Sequence, residues 1–333
     1  MPDASFPMLL QVKDLAVHFP AKAVGAPWKK PGVVRAVDGV SLQLQANETL
    51  GLVGESGCGK STLARAVIRL LSPTHGQVLF EGRDIATLSE RQLSDMRSNI
   101  QMVFQDPASS LNPRMTVAQV LAEPMQIARW EEARIQDRIA GLLTLVGLDK
   151  AHMQRYPHEF SGGQKQRIVI ARALTLSPKL VVCDEPVSAL DVSVQAQIIN
   201  LLKDIQDRLG VSYLFVAHDL GVVRQISHRV MVMYLGKIVE EAPKAEFFVQ
   251  PMHPYSQALL SAIPRPRPGA ASKRIVLKGD LPSPLNPPSG CRFRTRCPLA
   301  QGVCISTEPA LRELASGHRV ACHFAETAQL VSS

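Results

Sequence analysis

A glycine-rich stretch at residues 54–62 has the residue types and spacing to hold phosphate groups. It fits the phosphate-loop pattern G-x-x-x-x-G-K-[ST] at every fixed position. Glycines let the backbone turn its N–H groups toward phosphate oxygens, Lys60 can reach the β- and γ-phosphates, and the Ser61 hydroxyl can ligate Mg²⁺. The stretch therefore predicts a nucleoside triphosphate site. The residues predicted to line it are Gly54, Glu55, Ser56, Gly57, Cys58, Gly59, Lys60, Ser61 and Thr62.

Four further residues lie at the ends of apolar segments, where a bound nucleotide would be within reach. Asp184 ends an apolar run at the place where a phosphate-loop NTPase holds Mg²⁺, and Glu185 can be the general base that polarises the attacking water. His218 follows the next predicted strand, at the edge where ligands collect in open α/β sheets, and it can hydrogen-bond the γ-phosphate or the water. Phe19 ends the first predicted strand. Its ring can stack on a base, although from spacing alone core packing is the favoured role.

A second glycine-containing helix start lies at Ser161, Gly162, Gly163 and Gln164. Ser161 can cap the helix, and the glycines allow a ligand to approach the exposed backbone N–H groups. One chain then carries one nucleotide site but two helix starts that could bind phosphate. We expect the second start to serve a nucleotide held by a neighbouring chain.

Four cysteines gather near the C-terminus, at Cys291, Cys297, Cys304 and Cys322. The five, six and seventeen residues between them do not match the C-x-x-C pairs of common zinc sites. Four thiolates also suit a [4Fe–4S] cluster. The residues themselves leave zinc, an iron–sulfur cluster and four free thiols open.

The elements that must position these residues predict an α/β fold. An edge strand is expected at residues 9–19, a helix after the glycine loop at 61–71, and a helical insertion at about 106–178. From residue 264 on the composition becomes proline-rich, and the proline run at residues 281–288 excludes helix or central strand there. We therefore predict an ATPase domain over residues 1–262. A proline-rich arm and a four-cysteine metal domain would follow over residues 263–333.

The composition predicts a cytoplasmic protein. No apolar run approaches the ~18–20 residues needed to cross a bilayer, and the N-terminus lacks the basic start and apolar core of a signal peptide. Disulfides are rare in the cytoplasm, so the cysteines need another explanation. The formal net charge is +8, and from residue 264 on there are ten Lys and Arg against four Asp and Glu. Such a tail can face nucleic acid, anionic lipid or an acidic partner, or it can be a solvated surface.

In the order of its motifs the chain resembles the ATP-binding-cassette (ABC) ATPases. The order is phosphate loop, Gln105, the Ser-Gly-Gly-Gln helix start, the Asp-Glu strand end, a Ser-Ala-Leu-Asp turn and His218. The resemblance covers nearly all of the chain. It implies a P-loop NTPase nucleotide-binding domain with an antiparallel β-subdomain, a helical subdomain insertion and a small Cys-rich C-terminal extension.

The resemblance also implies roles for single residues. Gln105 matches a glutamine that contacts Mg²⁺ or water and senses the membrane partner. Phe19 takes the place of the aromatic residue that stacks on adenine, and Asp191 matches a loop at the dimer contact. Phe160 stands where the family's signature usually begins with leucine.

Four segments narrow the resemblance further. They are Val-Phe-Gln-Asp-Pro-Ala-Ser-Ser-Leu-Asn-Pro-Arg (103–114), Tyr-Pro-His-Glu-Phe-Ser-Gly-Gly-Gln (156–164), Asp-Glu-Pro-Val-Ser-Ala-Leu-Asp-Val-Ser-Val-Gln-Ala-Gln (184–197) and Leu-Pro-Ser-Pro-Leu-Asn-Pro-Pro-Ser-Gly-Cys-x-Phe-x-x-Arg-Cys (281–297). In these segments the chain resembles the ATP-binding subunits of dipeptide and oligopeptide importers, of the DppF/OppF type. In related proteins the tail cysteines ligate a [4Fe–4S] cluster, so the resemblance favours iron–sulfur over zinc.

The importer resemblance implies an ATPase that energises the uptake of di- and oligopeptides, bound peripherally at the cytoplasmic face of the bacterial inner membrane. Its partners would be a homologous DppD-like ATPase in a head-to-tail heterodimer, two transmembrane permease subunits and a periplasmic or lipid-anchored solute-binding protein. No nucleic acid partner is expected. The alternatives are a soluble non-transport ABC ATPase, or an importer subunit for another solute such as glutathione or nickel chelates.

Overall fold

The computed structural model describes residues 7–21, 32–263 and 275–328. Four stretches lie outside the described part: residues 1–6 and 22–31 of the predicted ATPase domain, and residues 264–274 and 329–333 of the predicted tail. The described strands are β1 (Met8–Ala21), β2 (Gly32–Gln45), β3 (Thr49–Val53), β4 (His75–Phe80), β5 (Arg83–Asp84), β6 (Ile100–Val103), β7 (Leu180–Asp184), β8 (Ser212–Ala217), β9 (Arg229–Tyr234), β10 (Lys237–Pro243), β11 (Arg312–Ala315) and β12 (His318–Val320). The α-helices are α1 (Lys60–Val67), α2 (Glu90–Arg97), α3 (Pro107–Ser110), α4 (Val117–Ile127), α5 (Glu132–Leu145), α6 (Gly162–Ala173), α7 (Val192–Leu209), α8 (Leu220–Ile226), α9 (Lys244–Val249), α10 (Pro254–Ser261) and α11 (Gly302–Ser306).

The chain divides into two compact units, which we call the helical unit and the sheet unit. The helical unit comprises Met1–Leu9, Leu44–Thr49 and Thr87–Ala217. The sheet unit comprises Leu10–Gln43, Leu50–Ala86 and His218–Ser333.

In the helical unit, β6, β7 and β8 form a parallel ladder. Val103 lies opposite Cys183, and Asp184 lies opposite Val216. Every residue of β7 and β8 is buried, which is the pattern of parallel strands covered on both faces. Because the strands run parallel, their carboxyl ends meet at one edge of the sheet.

Helices α3 to α6 lie inside the range where the sequence predicts a helical insertion. Arg138 of α5 caps the C-terminus of α6 and so joins these two helices. Its Nη2 donates to the carbonyl of Leu174 at 2.6 Å and its Nε to the carbonyl of Thr175 at 3.2 Å. Within the described residues, no helix combines the length and apolar character needed to cross a membrane.

The first sheet of the sheet unit has the order β2-β1-β4-β5. β1 runs antiparallel to β4, with Leu10 opposite Phe80. The prediction of β1 as an edge strand is therefore wrong, because β1 lies between β2 and β4. An apolar pattern indicates a buried face but does not say which strands pair.

The second sheet of the same unit contains β3, β9, β10, β12 and β11 in that order. β3 is parallel to β9, and β9 and β10 form a hairpin around Gly236. β12 adds to β10 with Glu240 opposite Val320, and β11 pairs with β12. Residues on both sides of the predicted boundary at 262 thus share one sheet.

Three features of the local structure differ from the predictions. The helix predicted at residues 61–71 ends at Val67, because Arg69 adopts a left-handed φ of 59° and Leu70 is 49% exposed. α2 was not predicted, since Leu93 is its only buried residue and its pattern is mostly polar. The tail strands β11 and β12 were also missed, because they are short and pair with strands far away in sequence.

Candidate active site

The phosphate loop joins β3 to α1, and its backbone bends where glycine is needed. Gly59 has a φ of 110°, and a Cβ at this position would lie 2.1 Å from the carbonyl oxygen of Ala36. Lys60 is 4% exposed, and its Nζ donates to the carbonyl of Gly54 at 2.8 Å and to that of Glu55 at 3.0 Å. The loop thus folds around an ammonium group, which puts positive charge inside the segment predicted to hold phosphate.

The remaining loop residues differ in accessibility. Ser56 and Gly57 are exposed, whereas Ser61 and Thr62 are half-buried at the start of α1. Cys58 is buried, and its burial raises the pKa of the thiol. A neutral thiol here contributes packing, so any contact of Cys58 with phosphate would come from its backbone.

Glu55 is held by two residues that the sequence did not connect with it. The backbone N–H of Glu55 donates to the hydroxyl oxygen of Tyr255 at 2.8 Å, and its carboxylate pairs with the Arg296 guanidinium at 2.7 Å. The arginines between the tail cysteines are visible in the sequence. Their contact with the phosphate loop is not, because about 240 residues separate them.

Two further predicted residues of the sheet unit are accessible to a ligand. Phe19 is 39% exposed, so core packing, which the spacing favoured, is not its role. Its neighbour His18 bonds through Nε2 to Asp38 at 2.8 Å. Burial raises the pKa of Asp38, but hydrogen bonds from His18 and Arg292 outweigh it and lower the pKa below the usual value. His218 is exposed immediately after β8.

In the helical unit, Asp184 and Glu185 follow each other at the end of β7. Asp184 is 2% exposed, whereas Glu185 is half-buried. Glu185 has a φ of 49°, a left-handed conformation that non-glycine residues rarely adopt and that clusters at functional sites. The Gln105 side chain donates from Nε2 to Oε2 of Glu185 at 3.0 Å. The structure thus brings together two residues 80 positions apart, and the amide orients a carboxylate that could serve as a general base.

The second helix start, the N-terminus of α6, is capped by side chains of its own first turn. Ser161 Oγ accepts from the Gln164 N–H at 3.4 Å, and the Gln164 side chain accepts from the Ser161 N–H at 3.0 Å. Gly163 faces α7, and a Cβ there would lie 2.6 Å from Cγ1 of Val194. Ser161 and Gly162 are exposed, so the end of α6 is accessible from solvent.

The residues predicted to hold Mg²⁺ offer the oxygen atoms that this ion prefers. They are the hydroxyl of Ser61 in the sheet unit, and the side-chain amide of Gln105 and the buried carboxylate of Asp184 in the helical unit. This donor chemistry fits the ion.

The tail cysteines do not show a metal site. Burial raises the pKa of Cys291 and of Cys297 to about 11, with smaller contributions from the other tail thiols. The N–H of Cys291 donates to the carbonyl of Cys304 at 2.9 Å, which places these two cysteines next to each other. Yet residues 7–21, 32–263 and 275–328 contain no group of three or more His, Cys, Asp or Glu arranged to hold a metal ion. The structure therefore does not support the predicted four-cysteine [4Fe–4S] or zinc site.

Two family models match the chain. Residues 37–188 match the ABC transporter family, and residues 239–304 match the C-terminal region of oligopeptide/dipeptide transporters. Among similar proteins, the oligopeptide transport ATP-binding protein AppF of Bacillus subtilis is 54% identical over 95% of this chain and 97% of its own. The oligopeptide transport ATP-binding protein OppF of Salmonella typhimurium is 52% identical over 95% of this chain and 96% of its own.

Solved structures share the fold over a smaller part of the chain. CbiO1 of Clostridium perfringens, part of the ABC transporter complex cbiONQ, gives a TM-score of 0.64 at 27% identity, covering 73% of this chain and 91% of that protein. The ATP-binding cassette MJ0796, in a dimeric post-hydrolysis state with ADP and Pi, gives a TM-score of 0.62 at 26% identity, covering 71% of this chain and 99% of that protein.

Proposed function

The chain belongs to the ABC transporter family as an ATP-binding ATPase subunit, and from this premise we propose that it energises the uptake of di- and oligopeptides. The observation that carries the proposal is the similarity to two oligopeptide transport proteins along almost their whole length. The match of residues 239–304 to the C-terminal region of oligopeptide/dipeptide transporters supports it.

The site residues divide the hydrolysis of ATP among them. Lys60 and the backbone of residues 54–62 bind the β- and γ-phosphates, and Phe19 stacks on adenine. Glu185 takes the proton of the attacking water while Gln105 orients its carboxylate through their 3.0 Å hydrogen bond. His218 hydrogen-bonds the γ-phosphate or the water. Mg²⁺, held by Ser61, Gln105 and Asp184, would neutralise charge on the phosphates.

The second helix start gives this chain a role in its neighbour's site. We infer that Ser161, Gly162, Gly163 and Gln164 complete the site of a facing ATPase chain, with Asp191 at the contact. The exposed end of α6 supports this arrangement, and MJ0796 is itself dimeric. Nucleotide binding would close the pair, and hydrolysis would let it reopen.

The partners follow from an importer architecture. We propose a heterodimer with a homologous, DppD-like ATPase, two transmembrane permease subunits and a periplasmic or lipid-anchored solute-binding protein. The chain would lie at the cytoplasmic face of the bacterial inner membrane, bound to the permeases.

An iron–sulfur cluster held by Cys291, Cys297, Cys304 and Cys322 is a separate proposal, supported by the resemblance of the tail to that of related proteins. Iron, sulfide and zinc analysis of anaerobically purified protein tests it. About four irons per chain would support the cluster, and their absence would remove it. The ATPase assignment does not depend on the result.

Transport by the full complex tests the proposed function. The purified complex in vesicles, with its solute-binding protein, should accumulate a labelled dipeptide only when ATP is supplied on the cytoplasmic side. A complex with Glu185→Gln in this chain should bind ATP but transport much less. Transport of glutathione or a nickel chelate in preference to peptides would overturn the substrate class. ATP hydrolysis without association with any membrane subunit would favour a soluble ABC ATPase.

A further inference from the structure

A short piece of the tail lies against the phosphate loop. We call residues 291–297, Cys-Arg-Phe-Arg-Thr-Arg-Cys, the arginine segment. Phe293 is 1% exposed and packs at ring-centroid distances of 5.2 Å from Tyr234 and 5.4 Å from Tyr255. We call Phe293 the anchor. Arg292 and Arg296 lie on either side of it in the segment, and their side chains are only 8% and 9% exposed.

Arg296 fixes Glu55 of the phosphate loop. The Glu55 residue is held at three points: its N–H by the Tyr255 hydroxyl, its carbonyl by Lys60, and its carboxylate by Arg296. Two of these three bonds come from residues outside the loop. Because Lys60 bonds the same residue, a shift of Glu55 would also move the ammonium group that meets phosphate.

Arg292 reaches the other end of the predicted nucleotide site. Its Nη1 donates to the carbonyl of Leu235 at 2.6 Å, and its Nη2 pairs with the carboxylate of Asp38. Asp38 in turn bonds His18, the residue before Phe19. The loop after Leu235 also donates from Gly236 N–H to the carbonyl of Cys58 at 2.8 Å. One seven-residue segment therefore contacts the supports of both the phosphate loop and the base-stacking aromatic residue.

We propose that Arg296 and Arg292 are positioning residues for ATP: they hold the phosphate loop and the Phe19 end of β1 in the geometry that binds nucleotide. Neither side chain needs to touch the nucleotide. The proposal rests on the ATP-binding role of the phosphate loop and is independent of which solute the complex transports.

Arg294 provides a matched control. It is in the same segment, yet its Nε donates to the carbonyl of Ser289 at 2.9 Å within the tail. Arg294→Ala therefore removes an equal charge from the same segment without removing a contact to the ATPase core.

Steady-state ATP hydrolysis by the assembled complex tests the proposal. Removing a charge-assisted hydrogen bond weakens the held geometry, and we expect Arg296→Ala to raise the KM for ATP about tenfold, or about 1.4 kcal/mol, with kcat within about twofold. Arg296→Lys should restore part of the loss, and Arg294→Ala should leave both constants unchanged. A variant that merely folded less well would lower the apparent kcat at unchanged KM.

Direct binding makes the test independent of turnover. ATP affinity is measured by equilibrium titration in a Glu185→Gln background, where hydrolysis is slow, with Arg296→Ala, Glu55→Ala and both together. The double variant should bind ATP about as weakly as either single variant, because both remove one contact. Additive losses, or an Arg296→Ala variant that matches Arg294→Ala, would overturn the proposal. If the ATP-binding results are as expected but the complex does not transport peptides, only the proposed substrate class is wrong.

Discussion

The phosphate loop and the arginine segment contribute to one site by different means. The loop supplies backbone groups and the buried ammonium of Lys60, and its chain reversals require residues such as Gly59. The arginine segment supplies two guanidinium groups that bond Glu55, Asp38 and a backbone carbonyl. The phosphate loop can contact the nucleotide, whereas the arginine segment holds the phosphate loop in place.

The two regions differ in whether their contribution to the site can be read from neighbouring residues in the sequence. Chemical groups of the loop are contiguous and are set by glycine spacing and one lysine. One support of the loop, Arg296, comes from a segment that is itself anchored by Phe293 against Tyr234 and Tyr255. Substitutions in the phosphate loop should change the hydrolysis of ATP. Substitutions in the arginine segment should change the free energy of unfolding and the affinity for ATP.

Removing the anchor should have the largest effect on stability. Phe293→Ala deletes a ring that is 1% exposed, and we expect a loss of about 3–5 kcal/mol in the free energy of unfolding. Denaturant unfolding measures it, with Ile305→Ala, at a tail residue 55% exposed, as the control expected to lose much less. Equal losses in the two variants would mean that the segment is not anchored through Phe293.

Lower pH should weaken the packing beneath the anchor. His253 lies 5.6 Å from the Phe293 ring, and its Nδ1 accepts from the Tyr255 N–H at 3.0 Å. Burial lowers the pKa of His253 from 6.5 to about 4, although Glu240 acts in the opposite direction. Because the pKa of His253 is lower in the folded state, the contribution of the neutral imidazole to the free energy of unfolding is fully present above pH 6.5. It is lost as the pH falls toward 4. The expected loss is about 3 kcal/mol.

The pH dependence can be assigned with a variant that keeps the acceptor. Asn at position 253 offers an amide oxygen near the place of Nδ1 but does not titrate. His253→Asn should therefore flatten the dependence of unfolding free energy on pH between 6.5 and 4. An unchanged slope would show that other groups cause it.

An exposed ion pair in the tail should have the smallest effect on the free energy of unfolding. Arg312 and Glu326 are 3.3 Å apart with side chains 47% and 55% exposed, so water screens their attraction. Arg312→Ala, which also removes a hydrogen bond to the Cys322 carbonyl, is expected to change the free energy of unfolding far less than Phe293→Ala and to leave the KM for ATP unchanged. A KM effect as large as that of Arg296→Ala would mean that charge on the tail, rather than contact with Glu55, controls affinity.

The sequence predicted those parts of the site that local rules determine. The strand, loop and helix around Lys60 follow from glycine spacing, and β7 follows from an apolar run before Asp184. The hydrogen bond between Gln105 and Glu185 was not predicted as a contact, but parallel strands place both residues at one sheet edge.

The rest depends on contacts between distant residues. β1 lies inside its sheet because β4 returns beside it, and β12 exists as a strand because β10 offers an edge. His318 is buried against Glu240 at 2.7 Å, a pairing of residues 78 positions apart. The cysteine spacing indicated metal chemistry, whereas the side-chain bonds that join this segment to Glu55 and Asp38 come from the arginines between the cysteines.

The role of Glu185 in ATP hydrolysis can be tested with a single substitution. Glu185→Gln in this chain, measured in the assembled complex with nucleotide hydrolysis and ATP binding recorded on the same samples, should lower kcat by about 10²–10³ while ATP affinity stays within a few-fold. Glu90→Gln, at an exposed glutamate on α2, is the control and should hydrolyse ATP like the unmodified chain. A Glu185→Gln complex that turns over at the normal rate would contradict the assignment of Glu185 as the general base.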